Sequence, residues 1–292
     1  MNDTPRFFTR MSRAGALTCA LASSIGICLA VPAVDDMQIR QELAKKVGEL
    51  VDAKKTTSGE ELAKQLDRKS CSFKLPKPAN TKPHNLYTHC ADSVVAVASV
   101  YKCSKCTKWH GSGAATGWVL SEDGLMVTNY HVFEGKSVAG FGIRTRDGRF
   151  APITEIVAAD KASDVAIFRV EGKDFKPLPV GPDAEVGNDI HIIAHPDSNF
   201  YTYTAGQVSR YYLMPSRKKN KPLRMAVTAE FAKGSSGGPV LDSTGNVVGM
   251  VASTRTIYYP PKKKEDTKGP MQMVIRSCVP VQSIRALIKD PS

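Results

Sequence analysis

The sequence predicts an all-β domain of the antiparallel sandwich or barrel type, led by a short helical extension and closed by one helix. Three observations carry that prediction. Short β-prone runs recur at Val94 to Tyr101, Thr116 to Leu120, Leu125 to Thr128, Phe141 to Thr145 and Ala166 to Val170. They continue at Ile190 to Ala194, Tyr201 to Ser209, Leu223 to Thr228, Val247 to Ala252 and Met271 to Ile275. Asp123-Gly124 and Asp147-Gly148 stand between such runs as turn signals. Helical periodicity is almost absent across the same stretch, which excludes a strand–helix alternation and a parallel sheet.

The chain has 292 residues, 42% of them hydrophobic, enough for one large domain or two small ones with extensions. No repeat of solenoid period is present. Residues 1–33 carry Arg6, Arg10 and Arg13 ahead of an apolar, small-residue run from Ala14 to Ala33. That order reads as a signal peptide, cut after Cys28-Leu29-Ala30 or Val31-Pro32-Ala33. The expected destination is the periplasm or the exterior, with a retained membrane anchor as the alternative.

Residues 34–84 form the helical extension and a Pro-rich linker. From Asp35 to Ala53, the residues Ile39, Leu43, Val47, Leu50 and Val51 make a helical stripe. Ser58 with Glu61 is a capping box for a second helix bearing Leu62 and Leu66. The pair is expected to dock by plain packing; self-association into a homo-oligomer is the alternative. Pro76, Pro78 and Pro83 mark the linker. Residues 85–292 are the main domain, and Val281, Ile284, Leu287 and Ile288 give the closing helix.

Within the domain, Gly234-Ser235-Ser236-Gly237-Gly238-Pro239 places a serine among glycines. Glycines let the backbone adopt turns closed to other residues and let another chain approach closely. N–H groups in such a turn can receive developing negative charge. The stretch is also the composition of an ordinary turn. A nucleophilic serine needs a base and a group that orients the base. Among the six histidines, His131 follows a strand in Val127-Thr128-Asn129-Tyr130-His131-Val132. Asp164 precedes the apolar run Val165-Ala166-Ile167, where a carboxylate is otherwise costly.

Together VTNYHV, SDVAIFRV and GSSGGPV resemble the trypsin-like serine peptidases, most closely their Deg/HtrA branch. The order His–Asp–Ser is that of chymotrypsin, not of subtilisin or the α/β-hydrolases. Gly111-Ser112-Gly113 through Val119, Asp147-Gly148-Arg149, Val180-Gly181-Pro182 and Gly245 to Gly249 also resemble family motifs, over roughly residues 90 to 288. The resemblance implies two six-stranded antiparallel β-barrels, about 90–180 and 181–280, with the active site between them. It implies Ser236 as nucleophile, His131 as general base, Asp164 as its orienting partner, and Gly234 and Ser236 N–H groups as oxyanion hole. It places Glu230, Lys233, Ala252, Ser253 and Thr254 at the substrate, and implies no cofactor or metal in the reaction. Protein or peptide substrates follow. A catalytically inactive peptide-binding or scaffold homologue of the same fold is the alternative.

The chain departs from the digestive members, which carry an aspartate where Ser235 stands, so activation by a new N-terminus is not expected. Loop rearrangement is expected instead. Deg/HtrA members usually continue into a PDZ domain, and none follows the closing helix here, so regulation by that module in cis is not expected. Glu230 lies near the floor of the specificity pocket in trypsin; it could favour basic residues, pair with Lys233, or face solvent, and solvent is preferred because unpaired buried carboxylates are rare.

Net charge is +12. Runs at Arg217 to Lys221 and Lys262 to Lys264, beside Tyr258 and Tyr259, flank the serine segment and could meet anionic surfaces; nucleic acid is not expected, since no such motif accompanies them. The exported part holds Cys71, Cys90, Cys103, Cys106 and Cys278. Disulfide bonding is the first expectation for this odd set. Zinc at Cys103, Cys106 and the nearby Cys90, His89 and His110 comes second, and a redox pair third.

Overall fold

A computed structural model describes residues 33–134, 137–215, 221–261 and 267–291, together with Met1. Residues 2–32 of the proposed signal peptide and the basic runs at 217–220 and 262–264 lie outside the described residues.

The chain begins with α1 (Asp36–Asp52), capped by the Asp35 carboxylate on the Gln38 N–H. Ile39, Leu43 and Val47 are its buried stripe. Next comes α2 (Gly59–Lys64), whose Ser58–Glu61 capping box is formed as expected, burying Leu62 and, just beyond it, Leu66. Both helices dock. Leu62 and Leu66 join the core with Val95 and Phe168, while Ile39, Leu43 and Val47 pack with Ala96, Ala98 and Phe200. Thr56 ties the turn between them to the Phe141 and Ile153 carbonyls, at 2.6 and 3.0 Å.

Strand β1 (Cys71–Ser72) precedes the Pro-rich stretch, which the Ala79 backbone fixes to Asn246 by a reciprocal pair of bonds of 2.7 and 3.0 Å. After α3 (Leu86–Cys90) six strands follow: β2 (Val94–Lys102), β3 (Trp109–Val119), β4 (Leu125–Thr128), β5 (Gly140–Arg144), β6 (Phe150–Asp160) and β7 (Val165–Val170). They close as an antiparallel barrel in the order β2-β3-β4-β7-β6-β5. The second six are β8 (Asp189–Ala194), β9 (Thr202–Leu213), β10 (Leu223–Val227), β11 (Pro239–Leu241), β12 (Val247–Tyr258) and β13 (Met271–Pro280). They close as β10-β13-β12-β11-β8-β9. Two closed six-stranded barrels are the architecture the resemblance implied.

Alternation along each strand splits the apolar residues between two destinations. Val119 and Met126 fill the first barrel while Trp118 and Val127 face outward into a shared core between the barrels. Ile190 and Ile192 fill the second barrel, and Ile193 joins that shared core with Leu241 and Val247.

Two barrel strands escaped the sequence reading. Phe150–Asp160 is buried on both faces along much of its length, so it shows little alternation. Pro239–Leu241 is too short to give a pattern. The closing helix α4 (Val281–Arg285) is shorter than expected, and Ile288 belongs to strand β14 (Ile288–Lys289), paired in parallel with Cys71–Ser72. The chain's end is thereby stapled to its early part.

Candidate active site

Strand register brings the first two candidate residues together. Thr128 of β4 pairs with Ala166 of β7. In an antiparallel pair, residues following one position lie beside those preceding the other. His131, three residues past Thr128, therefore meets Asp164, two before Ala166. His131 sits in a short 3₁₀ turn, Tyr130–Val132. Asp164 ends the β6–β7 turn with φ of +62°, a left-handed conformation that a branched side chain would resist. Asp160 caps the same turn from below, its carboxylate accepting the Ala162 and Ser163 N–H groups at 3.1 Å each.

The His131 Nδ1 lies 3.0 and 3.1 Å from the two carboxylate oxygens of Asp164. The same carboxylate accepts the His131 backbone N–H at 3.1 Å, and Asn129 Nδ2 donates to the Asp164 carbonyl at 3.0 Å. A carboxylate on Nδ1 holds that nitrogen's proton and leaves Nε2 as the free basic position. The imidazole is 45% exposed against 19% for the carboxylate, so the base faces solvent while its partner is shielded.

Ser236 comes from the other barrel. His131, Ser236, Gly234, Ser112, Ala114 and Lys233 are among the residues lining one cleft of about 170 Å³. Ser236 Oγ donates to the Ala252 carbonyl at 3.4 Å. Catalytic hydrogen bonds are often loose in free enzymes and tighten only with substrate bound. Gly237, at φ +89°, is obligatory, because a Cβ there would collide with the Thr116 carbonyl and the Thr128 hydroxyl. Gly234, at φ +97°, is crowded by the His195 carbonyl in the same way.

The turn 232–236 is held from outside itself. Thr116 Oγ1 donates to the Gly234 carbonyl at 2.9 Å and accepts the His195 N–H at 3.2 Å. The Thr116 N–H donates to the Ser236 carbonyl at 2.9 Å. The Lys233 carbonyl accepts the Asp197 N–H at 2.6 Å. In a trans peptide C=O and N–H point oppositely, so the Gly234 N–H is turned away from Asp197. Neither the Gly234 nor the Ser236 N–H donates to a backbone carbonyl among the described residues, which leaves both available to an oxyanion.

The segment 195–201 that presents Asp197 is itself strained, and it is buried at His195, Phe200 and Tyr201. Asp197, Ser198 and Tyr201 have positive φ of 49°, 63° and 58°. His195 is fully buried; its Nδ1 accepts the Tyr201 N–H at 3.0 Å, and burial pulls its pKa down to about 4. Helix α1 reaches this segment twice. Arg40 donates to the Asp197 carbonyl at 2.9 Å, and the Asp36 carboxylate accepts the Phe200 N–H at 2.8 Å. Sequence reasoning missed Thr116, Asp197, Arg40 and Asp36, because a lone threonine or helix-surface charge carries no motif.

The remaining candidates divide. Ser235 is buried with no partner for its hydroxyl, a site where a carboxylate would be uncompensated. Ala252 is buried, whereas Ser253 and Thr254 are exposed on β12. β11 pairs with β12 only through Met250, so past that point β12 has one strand neighbour, β13, among the described residues. Glu230 faces solvent, as preferred; its carboxylate engages Arg276 at 2.6 Å across to β13, not Lys233.

Cys71, Cys90, Cys103, Cys106 and Cys278 are all free thiols, so the structure contains no disulfide among the described cysteines. Burial raises Cys90 to about 12 and drives Cys278 upward too, which suits inert core thiols. Cys103, Cys106 and His110 cluster, while Cys90 and His89 lie apart, against Gly245.

Residues 115–250 match the trypsin-like peptidase domain family model. Among curated proteins, Protease Do-like 1, chloroplastic, of Arabidopsis thaliana is 31% identical over 155 residues, covering 51% of this chain and 34% of that protein. A probable periplasmic serine endoprotease DegP-like of Halomonas elongata is 31% identical over 137 residues, covering 46% of this chain and 28% of that protein. The match thus spans about a third of the length of these relatives. A solved structure of the HtrA-type protease AlgW with a decapeptide superposes with a TM-score of 0.53 at 19% identity, covering 68% of this chain and 63% of that one. At that identity the likeness concerns the fold.

Proposed function

From a chain that carries a trypsin-like peptidase domain with Deg/HtrA relatives, we propose an exported serine endopeptidase acting through an acyl-enzyme. The observation that carries the reading is the His131–Asp164 bond of 3.0 Å facing a cleft shared with Ser236. His131 Nε2 takes the Ser236 proton as Oγ attacks the peptide carbonyl, and passes it to the leaving amine; Asp164 stabilises the imidazolium between those events. The Gly234 and Ser236 N–H groups receive the oxyanion, each contributing about 3–4 kcal/mol to the transition state. Water then repeats the sequence to release the acid.

A substrate strand can add to the free edge of β12 at Ala252 to Thr254, pairing main chain with main chain. With Glu230 occupied by Arg276, its carboxylate is not offered to a basic side chain, which supports small or apolar residues at the cut. Export is supported by the basic-then-apolar composition of residues 1–33 and by the periplasmic and chloroplastic names of relatives.

The test pairs a fluorophosphonate probe with casein digestion. Labelling and cleavage that both vanish in Ser236→Ala are expected. Labelling that persists in the variant, or no casein cleavage by the parent chain, overturns the reading in favour of a peptide-binding homologue.

A further inference from the structure

One cluster of donors lies outside the cleft, in the hairpin loop between β2 and β3. Cys103 and Cys106 sulfurs are 3.4 Å apart, and His110 Nε2 lies 3.3 Å from the first and 3.0 Å from the second. All three atoms fall within 4.8 Å of one another. A disulfide requires sulfurs at about 2.05 Å and has no use for an imidazole. A tetrahedral zinc ion, with bonds of about 2.3 Å to sulfur and 2.0 Å to nitrogen, holds two sulfurs about 3.8 Å apart and sulfur from nitrogen about 3.5 Å. The cluster needs to open by only a few tenths of an ångström.

The hairpin is built to hold this arrangement. Tyr101 pairs with His110 and Lys102 with Trp109, so β-register returns the imidazole to the two cysteines. The base is pinned to the end of α1: Trp109 Nε1 donates to Asp52 at 2.9 Å, and Lys102 Nζ lies 4.3 Å over the Trp109 ring. A soft donor set of two thiolates and an imidazole selects zinc over magnesium or calcium.

We propose that Cys103, Cys106 and His110 form a zinc-binding site that fastens the β2–β3 hairpin. Two thiolates and Nε2 supply three corners of the tetrahedron and water the fourth; binding releases the thiol protons. The ion closes a loop whose outgoing strand runs from His110 to Gly113 and Ala114 in the cleft wall. The ion would fasten the hairpin with its fourth position open to water, and the site stands apart from the peptidase reading.

The experiment titrates the reduced, purified chain with Co²⁺ and then displaces it with Zn²⁺, following absorption. Thiolate-to-cobalt charge transfer in the near ultraviolet and intense tetrahedral bands in the red are expected, with about one ion per chain. Cys103→Ser, Cys106→Ser and His110→Ala should each weaken binding by about 100-fold or more, while His89→Ala should leave it unchanged. None of these readouts depends on catalysis. Reduced protein without the charge-transfer bands, affinity unmoved by His110→Ala, or a Cys103–Cys106 disulfide in chain purified without added oxidant would each overturn the site.

Discussion

The two barrels deliver their halves of the proposed active site by different physics. The first presents His131 and Asp164 through one strand pairing, Thr128 with Ala166, and the geometry follows from register within a few residues. The second presents Ser236 and its N–H groups on an irregular turn, held by bonds from Thr116 and from the segment 195–201, which α1 braces in turn. A register cannot drift without turning every side chain to the opposite face. A relay of single hydrogen bonds can be loosened at any link. The base half should thus be fixed whenever the barrel is folded, and the oxyanion half adjustable from a distance.

The largest effect should come from the fixed half. Asp164→Asn keeps the shape and donates to Nδ1 instead of accepting, which favours the wrong tautomer. The kcat for a peptide substrate should fall by about 10⁴-fold with Tm nearly unchanged. A comparable drop in Tm would show that Asp164 is mainly a structural cap.

Next in size is an acid effect confined to the adjustable half. His195 has a folded pKa of about 4, below the ordinary value near 6.5 that applies in the unfolded chain. Between those values the unfolded state binds the proton and the folded state does not, so stability rises with pH across the window. The contribution is complete above about pH 6.5 and is lost by about pH 4, on the order of 3 kcal/mol. Protonation would also cost the bond from the Tyr201 N–H. Urea unfolding at pH 7 and pH 4.5 should show the loss, and His195→Phe should flatten it. An unchanged slope in that variant would locate the acid sensitivity elsewhere.

This asymmetry also decides what the sequence could disclose. His131, Asp164 and Ser236 could be nominated because each lies in a contiguous motif whose local backbone does the positioning. Thr116, Asp197 and Arg40 could not, because their roles arise from contacts separated by 118, 36 and 157 residues. Most strands were legible as short β-prone runs between turn signals, which left sandwich and barrel both open; the two barrels came from the family resemblance. Phe150–Asp160 was not legible, since burial on both faces erases the period. Ile288 was drawn into a helix by spacing, yet it pairs with Cys71, a partner 217 positions away that no local pattern reveals.

A smaller effect tests the relay. Arg40→Ala and Asp36→Ala each remove one link between α1 and the segment 195–201. The Arg40 link is exposed and the Asp36 link part-buried, and each should contribute about 1 kcal/mol. A fall in kcat of about fivefold, with KM nearly unchanged and fluorophosphonate labelling slowed alike, is the expected outcome. Equal loss of kcat in Lys46→Ala, whose bond to Glu49 stays within the helix, would mean that the helix acts only through overall stability.

The smallest effect belongs to Glu230, where position in the chain and position in space disagree. Its place six residues before Ser236 invites comparison with an acidic pocket floor, but its side chain is 78% exposed and engaged with Arg276. An exposed pair of this kind contributes about 0–1 kcal/mol to stability. Glu230→Gln should therefore leave Tm within experimental scatter and leave the ratio of kcat/KM for apolar and basic residues at the cut unchanged. A pocket carboxylate would behave otherwise: its loss would cut activity toward arginine and lysine substrates by orders of magnitude while sparing apolar ones. The comparison of the two substrate series in the variant thus separates a surface ion pair of the second barrel from a specificity determinant, independently of how tightly the relay holds the oxyanion turn.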